Sequence, residues 1–559
     1  MPRFDSPPVF GALLDPDGGR FSIAPADRRV GVQRYLPNTN ILETRFVCDD
    51  GAFRVLDFAP RFMQHDRSFR PTKLIRIVEP LSGTPRIRVL CDPVLGWSKK
   101  RPGREIGSHH IAFLGFDAHL RLTTDAPLTY LNDEPFALTD RMHFVLSWGQ
   151  PVEEPLVPLC DRFLRETTRY WQTWVKHCAI PSVFQEEVIR AALTLKLHCF
   201  EDTGAIVAAL TTSIPESPGS GRTWDYRYCW LRDTFYTLGA LRLLGHFEER
   251  EGFLHYLLNV ASSAPNLELA PLYGIDGKPC PPERTLENWV GYKGEGPVRV
   301  GNDAATHLQH DVFGEMVLAL APIFLDARFR EAATPPVLDL VERLARRAIA
   351  VAGQPDAGIW EFRSRWRPQT FSTVMCWAAA DRAARIARRF RPEHADELGA
   401  AANNIRNLIL REAVDPKRNC LTADHGGTEV DAALLQAVTL NLLPADDPRL
   451  IATVECVRTD LDHGGWLRRY RTVDDFGIPA VAFTICTFWL VDALARIGRI
   501  EEARIVMERV RSIPSPLGLL SEDVDPTSGT MWGNYPQAYS HVGLIHGAFA
   551  VAPKWSEVG

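Results

Sequence analysis

An antiparallel β-sandwich followed by a larger helical domain closed as a ring of paired helices is the fold class this sequence predicts: a multidomain, mainly α chain. Three observations predict it. At 559 residues the chain exceeds what one ordinary hydrophobic core fills. From about residue 20 to 150 hydrophobicity alternates with period two. From about residue 183 the period is helical almost to the end.

Residues 1–155 read as the sandwich. Phe53-Arg54-Val55-Leu56-Asp57-Phe58 and Arg86-Ile87-Arg88-Val89-Leu90 alternate as half-buried strands do, and Asp49-Asp50-Gly51 is a turn signal between such runs. Residues 156–182 switch to helical spacing, with Phe163, Tyr170, Trp171 and Trp174 on one amphipathic stretch, and are expected to form a linker helix. Residues 183–559 carry helical segments, among them 184–200, 230–245, 303–321, 334–352, 371–389, 394–411, 429–441, 478–497 and 499–511. Leu308, Val312, Met316 and Leu320 recur at every fourth residue in one of them. Loops rich in Gly, Pro and Asp separate the segments, and a ring of paired helices is the natural closure.

Composition removes several functions. Hydrophobic residues make up 45%, a globular value, and a formal net charge of −6 offers no basic face for nucleic acid. No apolar run approaches the roughly 20 residues of a membrane span, and the opening Met1-Pro2-Arg3-Phe4-Asp5-Ser6 lacks a signal peptide's apolar stretch, so a cytoplasmic protein is expected. The eleven cysteines form no C-x-x-C pair and suggest neither a disulfide framework nor a zinc site. Cys229 has no histidine placed locally to activate it, and a packing role is expected. His307 and His310, with Asp311 adjacent, have tolerable metal spacing, yet no metal and no cofactor is expected. Association with further copies of the chain stays open.

Chemistry concentrates in a few segments. Glu361 lies in Asp356-Ala357-Gly358-Ile359-Trp360-Glu361-Phe362-Arg363, and Glu522 in Leu519-Leu520-Ser521-Glu522-Asp523, upstream of Trp532-Gly533-Asn534-Tyr535-Pro536-Gln537. Hydrolysis of a glycosidic bond needs two carboxyls of this kind. One holds a proton for the leaving oxygen, and the other stays ionised to activate water or attack the anomeric carbon. Gly221 to Asp233 packs four aromatics, three arginines and two aspartates into thirteen residues. Aromatic faces that stack on sugar rings, mixed with Arg and Asp that bond hydroxyls in forked geometry, fit a carbohydrate pocket.

Four ordered motifs then resemble the glucoamylase-like inverting glycosidases, glycoside hydrolase family 15, in particular its bacterial and archaeal branch, which also holds trehalases. They are Trp224 to Asp233, Gly291-Tyr292 with Pro297 to Asn302, Gly358 to Arg363, and Pro536 to Ile545. The resemblance implies an (α/α)6 barrel of six inner and six outer helices. It implies Glu361 as general acid, Glu522 as general base, and Arg232 with Asp233 as the grip on the terminal sugar. Members of the branch carry a further strand ahead of the segment that opens this chain, so the sandwich is expected to lack its first strand.

Other residues keep two readings. Trp360 is a substrate contact or a core ring; Arg363 is a clamp on the second sugar or a solvated charge. Tyr292, Arg299 and Asn302 are substrate-binding candidates, although Gly-x-Asn before a helix also signals an N-cap. Asp523 is the rival base, Asp225 and Arg227 are expected to brace their loop, and His541 reads as a core or capping histidine as readily as a ligand.

The expected reaction is inverting release of β-glucose from the ends of α-glucans or α-glucosides, with 6.5–9.5 Å between the carboxyls as the geometry that inversion requires. Trehalase is the alternative. Remoter ones are an inverting glycoside phosphorylase, which would lack the base carboxylate, and a glucan-binding protein without turnover.

Overall fold

A computed structural model describes residues 1–513 and 515–558. The chain divides into two compact units. The first comprises Met1–Cys178, Leu286–Gly294 and Ser515–Gly518, and the remaining described residues form the second.

In the first unit eleven strands build two antiparallel sheets: β1 (Arg20–Pro25), β2 (Val32–Tyr35), β3 (Leu42–Cys48), β4 (Gly51–Phe58), β5 (Lys73–Gly83), β6 (Arg86–Asp92), β7 (Gly103–Ile106), β8 (His110–Leu114), β9 (Leu120–Thr124), β10 (Phe136–Ala137) and β11 (Met142–Trp148). The larger runs β2-β3-β4-β5-β11-β9-β8-β7 and the smaller β1-β6-β10. Period two sorts the side chains of β4 between two cores. Phe53 and Val55 join Ile87 and Val89 of the small sheet, whereas Leu56 and Phe58 meet Leu159, Cys160 and Phe163 of helix α1 (Leu156–Lys176) on the other face. The helix expected as a linker thus covers the back of the large sheet and belongs to this unit.

The second unit is a double ring of helices. Its inner helices are α3 (Arg232–Leu244), α5 (Asp311–Leu320), α7 (Thr370–Phe390), α9 (Gln436–Thr439), α11 (Thr484–Arg496) and α13 (Ala538–Val551), each touching the next and α13 touching α3. Outside them pack α2 (Gln185–His198), α4 (Phe247–Ser263), α6 (Pro335–Val351), α8 (Pro392–Glu412), α10 (Pro448–Asp460) and α12 (Ile500–Glu508). Inner helix α5 is buried at every residue, while outer helix α6 buries only the stripe Leu340, Val341, Leu344, Ala345, Ala348 and Val351. The (α/α)6 barrel implied by the resemblance is this architecture.

Three expected helices differ in detail. Segment 303–321 breaks, because Asn302 caps a separate turn over Asp303–Thr306 and the chain is extended at His307; Leu308 precedes α5 and is 45% exposed, while Val312, Met316 and Leu320 are buried within it. Segment 429–441 reduces to a 3-10 turn (Ala432–Leu435) and the single turn α9, capped by the Asp431 carboxylate. Segment 478–497 becomes helical only at Thr484, because Ala482–Phe483 pair as a strand with Asp523–Val524. No helix among the described residues is long and apolar enough to cross a membrane.

Candidate active site

The chemistry-bearing residues share one topological position. Arg232 and Asp233 open inner helix α3, and Asn302, Trp360 to Arg363, Asp431, Arg469 and Glu522 lie in the segments that lead into α5, α7, α9, α11 and α13. A rigid ring therefore carries the site on loops from six successive helices.

Two adjacent compartments result. The inner one is lined by Arg232, Asp233, Trp489, Glu522, Gln537 and Tyr539, among others. The outer one is lined by Glu216, Trp224, Asn302, Arg363, Asp475 and Phe476, among others. Tyr226, Trp360, Glu361 and Arg469 border both.

Glu361 sits in a turn ahead of α7. Its backbone is left-handed, at φ +60°, and so is that of Gly358 at +66°. A non-glycine residue adopts this region at a cost of about 1–3 kcal/mol, and such strain persists where surrounding contacts over-determine it. Here Trp230 Nε1 (2.8 Å) and Arg232 Nη1 (3.2 Å) both donate to Glu361 Oε1, and Arg232 also donates to the Ile359 carbonyl at 2.8 Å. The base of the loop is pinned by buried Asp356, whose Oδ2 accepts from the His310 amide (2.8 Å) and Ser372 Oγ (2.7 Å). Both bonds to the carboxyl end on Oε1, so Oε2 is the oxygen left for a leaving group.

Glu522 is fixed by its backbone: its N–H donates to Asn534 O at 3.2 Å, and its carbonyl accepts from Thr484 N at 2.9 Å, just as α11 begins. Tyr226 donates its hydroxyl to Glu522 Oε1 at 2.6 Å, and Oε2 is buried without a partner. Gly533 explains how so close a fit is reached. Its φ is +75°, and a Cβ there would lie 2.6 Å from Glu522 Cβ and 2.8 Å from Oε2.

Burial pushes the Glu522 carboxyl up, while the Tyr226 hydroxyl and the Arg469 charge pull it back towards ionisation. Asp523 is pushed well up by burial and by the Glu522 charge, with Arg469 and Arg222 opposing the rise. Asp523, the rival base, lines neither compartment. Burial drives the Tyr226 phenol well up, which keeps it a donor. Asp233 rises to about 7, chiefly by burial, with Glu361 and Glu522 adding to the rise and Arg232 opposing it.

The remaining candidates separate. Trp360 borders both compartments, donates Nε1 to Asp431 Oδ2 at 2.8 Å, and packs among Tyr470, Phe483 and Trp489. Arg363 lines the outer compartment and lies over the rings of Trp224 (5.1 Å) and Phe476 (5.3 Å). Asn302 reaches the outer compartment but spends Oδ1 on the Ala304 amide. Arg299 lines neither compartment; its Nη1 donates to Gly221 O (3.0 Å), Thr223 O (2.7 Å) and Thr223 Oγ1 (2.6 Å), so it braces that loop. Tyr292 lines neither and lies in a segment of the first unit. Asp225 and Arg227 are buried and paired with each other, and His541 accepts the Leu520 amide in the core.

Sequence reasoning missed Arg469, Glu216 and Asp474 to Phe476. Arg469 hides in the run Arg468-Arg469-Tyr470-Arg471, which reads as a solvated charge cluster, yet its side chain is only 11% exposed, bonded to Glu216 and placed to act on Glu522. Tyr226 and Trp230 stood inside the aromatic motif without an assigned role, although a donor beside a carboxyl is what positions it.

The family model described as "Glycosyl hydrolases family 15" matches residues 182–549, and one described as "Trehalase-like, N-terminal" matches residues 1–101. The chain is 36% identical over 585 residues to a protein of Mycolicibacterium smegmatis named Trehalase, covering 98% of this chain and 86% of the relative. It is 33% identical over 577 residues to one of the same name from Thermoplasma acidophilum, covering 100% of this chain and 96% of the relative. Among solved structures, a bacterial glucoamylase complexed with acarbose shares the fold at a TM-score of 0.69 and 15% identity, over 95% of this chain and 88% of that one.

Proposed function

The chain belongs to glycosyl hydrolases family 15 and is a glycoside hydrolase, and on that premise we propose that it hydrolyses α,α-trehalose with inversion. The observation that carries the reading is that Glu361 stands on the wall common to two compartments, where the bond between two sugars would lie. The relatives named Trehalase, similar along nearly the whole chain, favour trehalose over the α-glucan ends that the sequence had put first.

One glucose occupies the inner compartment, gripped by Arg232 and Asp233. The other leaves through the outer one. Glu361 gives its proton to the glycosidic oxygen as the bond stretches towards an oxocarbenium-like state. Glu522, aligned by Tyr226, takes a proton from the water that attacks the opposite face of the anomeric carbon. The inner sugar departs as β-glucose and the outer as α-glucose, so the first turnovers release the two anomers in equal amount.

Proton NMR of freshly mixed enzyme and trehalose tests this. Equal initial α- and β-glucose is expected, and Glu361→Gln and Glu522→Gln are each expected to lower kcat by about 10²–10⁴-fold. Activity on maltotriose or starch with none on trehalose would return the assignment to α-glucan ends. Turnover surviving both substitutions would mean that other carboxyls do the work.

A further inference from the structure

Four residues downstream of Tyr470, the chain makes a tight turn that contributes three side chains to the outer compartment: Asp474, Asp475 and Phe476. Asp474 and Gly477 pair with each other as an isolated bridge, N to O 3.2 Å in both directions, with Gly477 at φ +93°. The flanks of this turn are not packed: Val473 is 62% and Ile478 54% exposed. A turn whose flanks rest on no core takes its position from the contacts of its tip.

Those contacts reach two different loops. On one side Arg222 Nη2 donates to Gly477 O at 2.9 Å and to Asp474 Oδ1 at 2.5 Å, while the Tyr470 hydroxyl bonds Asp474 Oδ2. On the other side the Arg363 amide donates to Asp475 Oδ2 at 2.8 Å and Ser364 Oγ bonds Asp475 Oδ1. Arg363 and Ser364 lie two and three residues after Glu361 in the same loop. Between these ties Phe476 meets Trp224 edge to face, with ring centres 5.1 Å apart at 79°, and the guanidinium groups of Arg222 (5.5 Å) and Arg363 (5.3 Å) lie over its ring.

From this we infer that the Asp474–Gly477 turn determines substrate length: bridged between the Arg222 loop and the Glu361 loop, with Phe476 as its plug, it closes the outer compartment behind one sugar. The inference rests on the trehalose reading and deepens it. Trehalose needs room for one glucose beyond Glu361, and a maltooligosaccharide needs an exit for the chain behind that glucose. Charged and aromatic groups locked into one another, rather than a flexible loop, give the plug its fixed position.

The test is the ratio of kcat/KM for maltotriose to that for trehalose in wild type, Phe476→Ala, Phe476→Leu and Asp475→Ser, with turnover of α-glucosyl fluoride, a one-sugar substrate, as control. In wild type the ratio is expected to be small. Phe476→Ala is expected to raise it at least tenfold, Asp475→Ser less, and Phe476→Leu, which keeps apolar bulk, to leave it near the wild-type value. Should Phe476→Ala not fold, Asp475→Ser still decides. An unchanged ratio in folded variants that keep fluoride turnover overturns the inference and leaves the trehalose reading intact. So does a wild type that already cleaves maltotriose as well as trehalose. A wild type inert towards trehalose overturns the reading, and the inference with it.

Discussion

The inner and outer compartments meet at Glu361 yet are built on different principles. The inner one places carboxyls among apolar walls: Glu522 and Asp233 are pushed up by burial, and Arg232 and Arg469 are the cations that hold them in check. The outer one is a lattice of partners already satisfied, in which Glu216 holds Trp224 and Arg469, Arg222 holds Asp474, and Asp475 holds the Glu361 loop. Fields are strong and adjustable in the first and geometry is rigid in the second. Damage to the inner compartment should therefore appear in turnover, and damage to the outer one in which substrates enter. On the proposed reading trehalose fills both and α-glucosyl fluoride only the inner, so the pair of substrates separates the two.

The largest effect expected after removal of a catalytic carboxyl is that of Gly533→Ala, although alanine adds one methyl group. Its Cβ would press within 2.6 Å of Glu522 Cβ, at a backbone φ that alanine disfavours. Displacing a base by even about 1 Å can cost on the order of 10²-fold in rate, so both substrates should suffer alike, with a stability loss of about 1–3 kcal/mol from overpacking. Retention of more than a tenth of wild-type kcat on the fluoride would show that Glu522 tolerates displacement.

Tyr226→Phe comes next and carries a sign. Tyr226 donates to the charged form of Glu522, so losing it raises that carboxyl further above its ordinary value. A base must be ionised to act; activity rises as pH climbs through its pKa, and the acid limb of kcat/KM should move to higher pH. A bond to a charged group contributes roughly 1.5–3 kcal/mol, which corresponds to about a tenfold to hundredfold loss below the shifted limb and less above it. An acid limb that stays put, or moves down, would detach Tyr226 from the base.

How much of this was legible follows the same division. The two glutamates, Arg232 and Asp233 stood out because their segments mix aromatic with charged residues, their roles were what the resemblance implied, and the structure brings all four to the inner compartment. The ring of helices was legible from its period, although inner helix α5 is buried at every residue and its start drifted: no amphipathic stripe marks where Asn302 caps one turn and α5 begins. Arg469 and the Asp474–Gly477 turn were opaque, because a run of arginines and a pair of aspartates look like solvated surface until the fold ties Arg469, Asp474 and Asp475 to partners far along the chain. Arg299 misled in the opposite sense. It stands inside one of the resemblance motifs as a substrate candidate, but it lines neither compartment and its Nη1 is spent on Gly221 and Thr223.

Arg299→Lys is the smallest change and the one that sharpens the boundary between the compartments. A lysine is a point donor that cannot serve the Gly221 and Thr223 acceptors together as the forked guanidinium does. If Arg299 braces, the loop bearing Trp224 loosens: the melting temperature should fall by a few degrees, corresponding to about 1 kcal/mol, while KM for trehalose rises two- to threefold and kcat barely moves. If instead Arg299 touches the second sugar, stability should hold and KM for trehalose alone should rise about tenfold or more, with α-glucosyl fluoride unaffected. The melting curve therefore distinguishes a loop that shapes the outer compartment from a side chain that binds in it.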